Sequence, residues 1–223
     1  MSTHILCLAG DAAVHAALPR LPDAQVHIYR VLRHIPTDSV TEDQARRPIA
    51  PDAERIHTIV ECSFADPAAQ AQVQDGAQWR AFTAAVDETG ERLYGFDVFS
   101  NVPIAPVHGA AEGGFRRWML LRRAAAGPEA FRDAWFGRHA DLVKQLPRVD
   151  GYVQHLVTAR FGADGQPAAY ESLLVDGIAE LCFADEGAML EAYSSDARLP
   201  LRDDGRVLLA GNVTLLVQGT RAS

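Results

Sequence analysis

The residues with the most chemical promise in this 223-residue chain lie between positions 131 and 180. Phe131, Trp135, His139 and Leu142 recur at helical spacing, so they share one face and set an imidazole among apolar side chains. Imidazole titrates near neutral pH and can give or take a proton in an enclosed pocket, which makes His139 the leading acid/base candidate. Its alternative is a core histidine hydrogen-bonded beside Trp135. Tyr152 can donate a phenolic hydrogen bond to a carbonyl or phenolate, or stand as an ordinary half-buried strand aromatic with its hydroxyl satisfied. Glu180 falls mid-strand on one face with Ile178 and Cys182, where a carboxylate must be paired, open to a cavity, or raised in pKa by desolvation. Trp135, Asp176 and His155 are candidate substrate contacts; the last two read more simply as a loop residue and a strand-surface residue.

Glu180 has a counterpart. The run Ile59-Val60-Glu61-Cys62-Ser63-Phe64-Ala65-Asp66 matches Ile178-Ala179-Glu180-Leu181-Cys182-Phe183-Ala184-Asp185 at five of eight positions. Leu21-Pro22 followed by Gln25 to Tyr29 corresponds in the same order to Leu146-Pro147 followed by Tyr152 to Leu156. Preserved landmarks in preserved order point to an internal duplication. The duplication also opens a structural alternative, in which Glu61 and Glu180 pair with arginine or backbone groups across the sheets.

Other chemistries lack their signatures. The chain has no G-x-G-x-x-G, phosphate loop, G-x-S-x-G or H-E-x-x-H. Its eight histidines show no ligand spacing on a shared helix, so neither a metal site nor a cofactor is expected. A net charge of −8 and a pI near 5.4 work against nucleic-acid binding, which needs arginine and lysine to neutralise phosphates. Apolar runs such as Trp118 to Leu121 are far too short to span a bilayer. Met1 to Cys7 reads as a strand and not as a signal peptide. Cys7, Cys62 and Cys182 are widely separated and read as buried free thiols, so the cytoplasm is the expected compartment.

The elements that must position these residues follow from hydrophobic periodicity and turn residues. In the second half, Arg117 to Arg122 is a strand, Gly127-Pro128-Glu129 opens a helix that runs to about Leu146, and Gly151 to Ala159 and Gly177 to Ala184 are strands. Asp185 caps a helix carrying Met189, Leu190 and Tyr193, and Val207 to Val217 is the last strand. The first half repeats the plan in eroded form: strand Thr3 to Ala9, short helix Asp11 to Leu18, strands Ala24 to Leu32 and Arg55 to Phe64, helix Gln78 to Val86, and strand Tyr94 to Val102. His34 to Ala53 reads as a long surface loop. The order β-α-β-β-α-β is that of a ferredoxin-like unit with helices on one sheet face. The predicted fold is therefore α+β, with two tandem ferredoxin-like repeats, residues 1–104 and 115–223, joined by a linker at 105–114. Packed sheet to sheet, they would make an α/β barrel.

The run Met119-Leu120-Leu121-Arg122-Arg123, the helix Glu129-x-Phe131-x-x-x-Trp135-x-x-x-His139, Leu146-Pro147, Tyr152-Val153-Gln154 and Asp176-Gly177-Ile178-Ala179-Glu180-Leu181-x-Phe183 together resemble the EthD family over roughly residues 117–217. The resemblance implies a dimeric α/β-barrel fold in a family first linked to bacterial degradation of ethyl tert-butyl ether, with relatives similar to small cofactor-free monooxygenases, isomerases and dehydratases. The first half has no Trp-x-x-x-His helix, so a site of the family kind belongs to the second.

Two functions compete at this stage. In the first, the protein is a cofactor-free oxidoreductase, isomerase or lyase acting on a small hydrophobic or aromatic carbonyl compound, with His139 as acid/base and Tyr152 and Glu180 orienting the ligand in one pocket. In the second, it is a noncatalytic small-molecule-binding or accessory barrel whose titratable groups are satisfied structurally. Neither requires nucleic acid or a membrane, and both accommodate a homodimer.

Overall fold

Strands buried on both faces are mostly apolar, and two segments of this chain have that character. In a computed structural model, which describes residues 1–10, 18–36, 48–107, 114–124 and 127–219, they are β1 (Ser2–Ala9) and β7 (Gly177–Phe183), buried along their whole length. Between them in sequence come β2 (Gln25–Ile35), β3 (Ile56–Phe64), β4 (Glu91–Ile104), β5 (Phe115–Arg123) and β6 (Gly151–Phe161), and β8 (Leu209–Gly219) follows. All neighbouring pairs are antiparallel, and the strands close into a barrel in the order β1-β3-β2-β8-β5-β7-β6-β4.

Each half contributes four strands in the ferredoxin-like order, and the halves join edge to edge through β2–β8 and β4–β6. Closure leaves no free sheet edge and is achieved within one chain. The α+β fold and the paired repeats expected from the sequence are thus present. The predicted helix from Asp11 lies outside the described residues except for Leu18, as do parts of the 34–53 loop and the 105–114 linker.

Helices cover the outside. α1 (Pro67–Gln74) and α2 (Ala77–Thr89) lie over the first half. Over the second, α3 (Pro128–Ala134) passes through a π turn (Trp135–His139) into α4 (Ala140–Val143), and α5 (Glu186–Ser194) and α6 (Arg198–Leu208) complete the layer. The duplicated aspartates act alike: Asp66 accepts from the Ala69 amide at 2.9 Å and Asp185 from the Ala188 amide at 2.8 Å, each capping the helix it precedes. Several elements differ from expectation: β2 runs on to Ile35, and α1 (Pro67–Gln74) is a helix beyond those expected. The Gly127 helix ends at Val143, and residues 198–208 form a helix, so the last strand starts at Leu209.

Alternation along the strands divides the core into three parts. Ile5, Tyr29, Ile59, Phe96, Trp118 and Ile178 fill the barrel; Leu6, Leu8, Val60 and Phe82 pack beneath the first helical layer; Leu121, Phe131, Trp135, Leu181 and Phe183 pack beneath the second. Trp135 lies flat enough on the sheet that a Cβ at Gly177 would come within 2.5 Å of its ring. Gly177→Ala is accordingly expected to cost about 1–3 kcal/mol through overpacking, measured as a lowered urea midpoint with an unchanged slope.

Candidate functional site

The sequence candidates separate onto the two faces of one sheet. His155 and Glu180 point into the barrel, whereas His139 and Tyr152 border a cavity beneath the second helical layer. The single pocket expected to hold Glu180 with His139 and Tyr152 is therefore two compartments, because Glu180 alternates with the helix-facing Ala179 and Leu181.

Inside the barrel, β3 and β7 stand opposite one another, so the duplicated Glu61 and Glu180 approach across its axis. They are joined in a ring of side chains that follows the strand order. Arg116 on β5 pairs with Glu180, and its guanidinium lies over the Tyr29 ring at 4.8 Å. Tyr29 on β2 donates to Glu61 Oε2 at 3.2 Å, and Ser63 donates to Glu61 Oε1 at 3.2 Å. Thr3 on β1 bridges Ser63 at 3.3 Å and Ser100 at 3.1 Å. Ser100 meets His155 Nδ1 at 2.9 Å, and His155 Nε2 returns to Glu180 Oε1 at 3.0 Å. Seven of the eight strands contribute; β8 does not.

Charge and hydrogen bonding agree in this ring. Burial favours neutral His155, but its bond to Glu180 and the charges of Glu180 and Glu61 outweigh that and raise its pKa. Burial alone would also raise the Glu180 pKa; the Arg116 charge and His155 hold it well below the usual carboxylate range. With His155 protonated, every hydroxyl can donate in one sense: His155 to Ser100, Ser100 to Thr3, Thr3 to Ser63, Ser63 to Glu61. One cationic pair then balances one anionic pair.

Glu61, His155 and Glu180 also form the only metal-compatible cluster among the described residues, their donor atoms lying within 4.8 Å of one another. Sequence spacing gave no hint of it, since the three come from three strands. Their donor atoms, however, are already engaged by Arg116, Tyr29, Ser63 and Ser100, and Arg116 adds a positive charge at the same place.

The second compartment has a volume of about 520 Å³, within the usual range of small-molecule sites. Met119 and Leu121 of β5, Ala179 and Leu181 of β7, Val143 of α4 and Leu201 of α6 form its apolar walls. His139 reaches it through the π turn. A regular helix would have kept His139 on the stripe of Phe131 and Trp135, but the buried positions run Phe131, Trp135, Ala140, Val143. The five-residue step at the π turn puts Ala140 where His139 was expected and turns the imidazole toward α6. There Nδ1 meets Asp204 Oδ2 at 2.9 Å, and Arg138 braces the same carboxylate at 3.1 Å. Burial lowers the His139 pKa, and the Asp204 bond offsets this only in part, so the ring is neutral at pH 7 with Nδ1 as its donor.

Gln154 supports both sides of this arrangement. Its Nε2 donates to the Trp135 carbonyl in the π turn at 2.7 Å and to the Tyr152 hydroxyl oxygen at 3.0 Å, while its Oε1 accepts from Asn101 at 2.8 Å. Tyr152 thus accepts from Gln154 and retains its own proton for donation.

The other candidates take different places. Trp135 is fully buried, stacked on Phe131 at a centroid distance of 5.2 Å, and does not border the cavity. Asp176 lies in the loop just before β7, as expected, but is buried there, where it pairs with Arg123 and accepts from Tyr170 at 3.0 Å. His155, expected on a strand surface, is 1% exposed. Sequence reasoning missed Asp204 and Arg116. The four-residue spacing of Arg198, Arg202 and Arg206 is the signal that would have revealed α6 and with it Asp204.

Residues 123–210 match the family model of the EthD domain, which bears out the resemblance read from the sequence. An anthrone oxidase-like protein shares the fold with a TM-score of 0.60 at 13% identity, over 98% of this chain and 91% of its own. A candidate monooxygenase from Lactobacillus acidophilus NCFM gives 0.57 at 10% identity, over 100% and 96%. A candidate chlorite dismutase gives 0.52 at 10%, over 99% and 95%. No curated protein matches the chain by sequence. Among the described residues no helix is long and apolar enough to cross a membrane.

The barrel ring makes stability depend on pH in a defined sense. A histidine with a raised folded pKa contributes below its ordinary value near 6.5 and loses that contribution as pH rises through the folded value. The stability gap between wild type and His155→Gln should therefore be widest at mildly acid pH and narrow as pH rises, followed by urea unfolding. Glu180→Gln strands Arg116 and His155 and should cost about 3–5 kcal/mol at neutral pH.

Proposed function

We propose that the EthD-like half binds a small hydrophobic or aromatic carbonyl compound in the helix-side cavity and moves a proton on it without a cofactor. The observation that carries this reading is the convergence, on one largely apolar cavity, of a neutral His139 held by Asp204 and a Tyr152 hydroxyl held by Gln154.

The chemistry follows from those bonds. With Nδ1–H committed to Asp204, Nε2 is the basic nitrogen, and it takes a proton from the carbon or hydroxyl next to the carbonyl. Asp204 then stabilises the imidazolium, and Arg138 helps to hold that carboxylate in place. Tyr152 donates to the oxyanion that develops on the carbonyl oxygen. This electrophile-and-base arrangement serves an isomerase or dehydratase, and it also generates the carbanion on which a cofactor-free oxygenase depends. The name of one structural neighbour, anthrone oxidase-like protein, is of the same chemical kind, an anthrone being an aromatic ketone.

The test is deuterium exchange at the carbon alpha to the carbonyl of 2-tetralone, followed by NMR alongside ligand-induced shifts of cavity residues. Wild type should catalyse exchange, with an acid limb below the ordinary histidine pKa because His139 must be neutral to act. His139→Gln should retain binding and slow exchange roughly 10²–10⁴-fold. An unchanged rate in His139→Gln, or no shifts at the cavity with any aromatic carbonyl probe, would sink the reading.

A further inference from the structure

The polar lining of the helix-side cavity has one sign. Arg117, Arg198, Arg202 and Arg206 border it and, among the described residues, no aspartate or glutamate does, in a chain that carries more acids than bases. Three of the four stand four residues apart along α6, so they form a row on one helical face. The outermost, Arg202 and Arg206, share Asp203 at the surface, at 3.1 and 3.7 Å.

Arg117 is different. It projects from β5 on the helix side beside Met119, in the sheet that floors the cavity. Its guanidinium lies over the Tyr193 ring at 4.2 Å, and Arg198 approaches the same ring at 5.5 Å. Stacking fixes the plane of a guanidinium yet leaves its N–H edges free to bind. The buried Arg117 Nε has no hydrogen-bond partner, and no carboxylate pairs with Arg117 among the described residues. Two arginines thus converge on one aromatic ring at the cavity wall.

We infer that the cavity's ligand is itself an anion: a small aromatic or alicyclic acid whose carboxylate is held by Arg117, with Arg198 as the second cation. The apolar body then lies against Met119, Leu121 and Leu181, and the carbonyl end reaches His139 and Tyr152. A planar carboxylate meets the guanidinium fork through two charge-assisted bonds, which sets the orientation of the ring as well as the affinity. The inference rests on the proposed function only in taking the same cavity as the ligand site; the claim about charge is separate.

The test compares 2-naphthoate with 2-naphthamide, which differ in charge and hardly in shape, by calorimetry and by NMR shifts of cavity residues. Wild type should prefer the acid roughly 10- to 100-fold, the margin of a charge-assisted pair over a neutral one. Arg117→Gln should bring the ratio near one while naphthamide still binds, and Arg198→Gln, at the rim, should reduce it in the same direction without depending on the sheet. Equal affinities in wild type, or a ratio untouched by both substitutions, would overturn the anion inference and leave the acid/base reading standing. Failure of both probes to shift cavity residues would overturn both.

Discussion

Two carboxylates that meet inside a barrel set the terms for everything around them. Glu61 and Glu180 are buried, face one another from opposite strands, and cannot both be ionised in a dry core without opposite charge close by. Arg116 and His155 supply that charge, and a run of hydroxyls from Ser100 through Thr3 to Ser63 carries the hydrogen bonding round to the far glutamate. Because the ring touches seven strands, it fixes their register as well as their charge. A slip of one residue in any of them would turn its polar side chain out of the ring.

The outer face of the same sheet inherits its precision from that register. Gly177 begins β7 and lets Trp135 lie against the sheet; Gln154, one residue from His155, ties the π turn to Tyr152. The cavity is thus framed by groups whose neighbours in sequence belong to the barrel ring. The cavity and the buried charges are kept on opposite faces of one layer, so a substitution in the cavity lining need not disturb the ring.

Much of the architecture was legible in the sequence, for identifiable reasons. Period-two strands, proline and aspartate at helix starts, and the repeat around Glu61 and Glu180 are local signals, and they led to the tandem barrel. The suspicion that the two glutamates pair across the sheets was also available from the repeat, and Glu180 does pair with Arg116. The partners could not be read. Arg116 lies diagonal to Glu180 across β5 and β7, and Tyr29 diagonal to Glu61 across β2 and β3, relations that exist only once the register is set. The π turn was equally hidden, because its extra residue leaves no mark in composition and displaces His139 from the face that regular spacing assigns it. Asp204 escaped because residues 198–208 carry a hydrophilic row that does not announce a buried partner.

The duplicated halves keep equivalent glutamates and surround them differently. Glu61 is served by neutral hydroxyls, from Tyr29 and Ser63, while Glu180 is served by cations. Two copies of the first half closing on each other would bring two glutamates together with no cation between them. Two copies of the second would crowd two arginines and two histidines around a single pair of carboxylates. Only the unlike combination is neutral, so the divergence of the repeats selects closure between the two halves over self-pairing of either. The covalent join between them then adds proximity to a preference that the buried charges already impose.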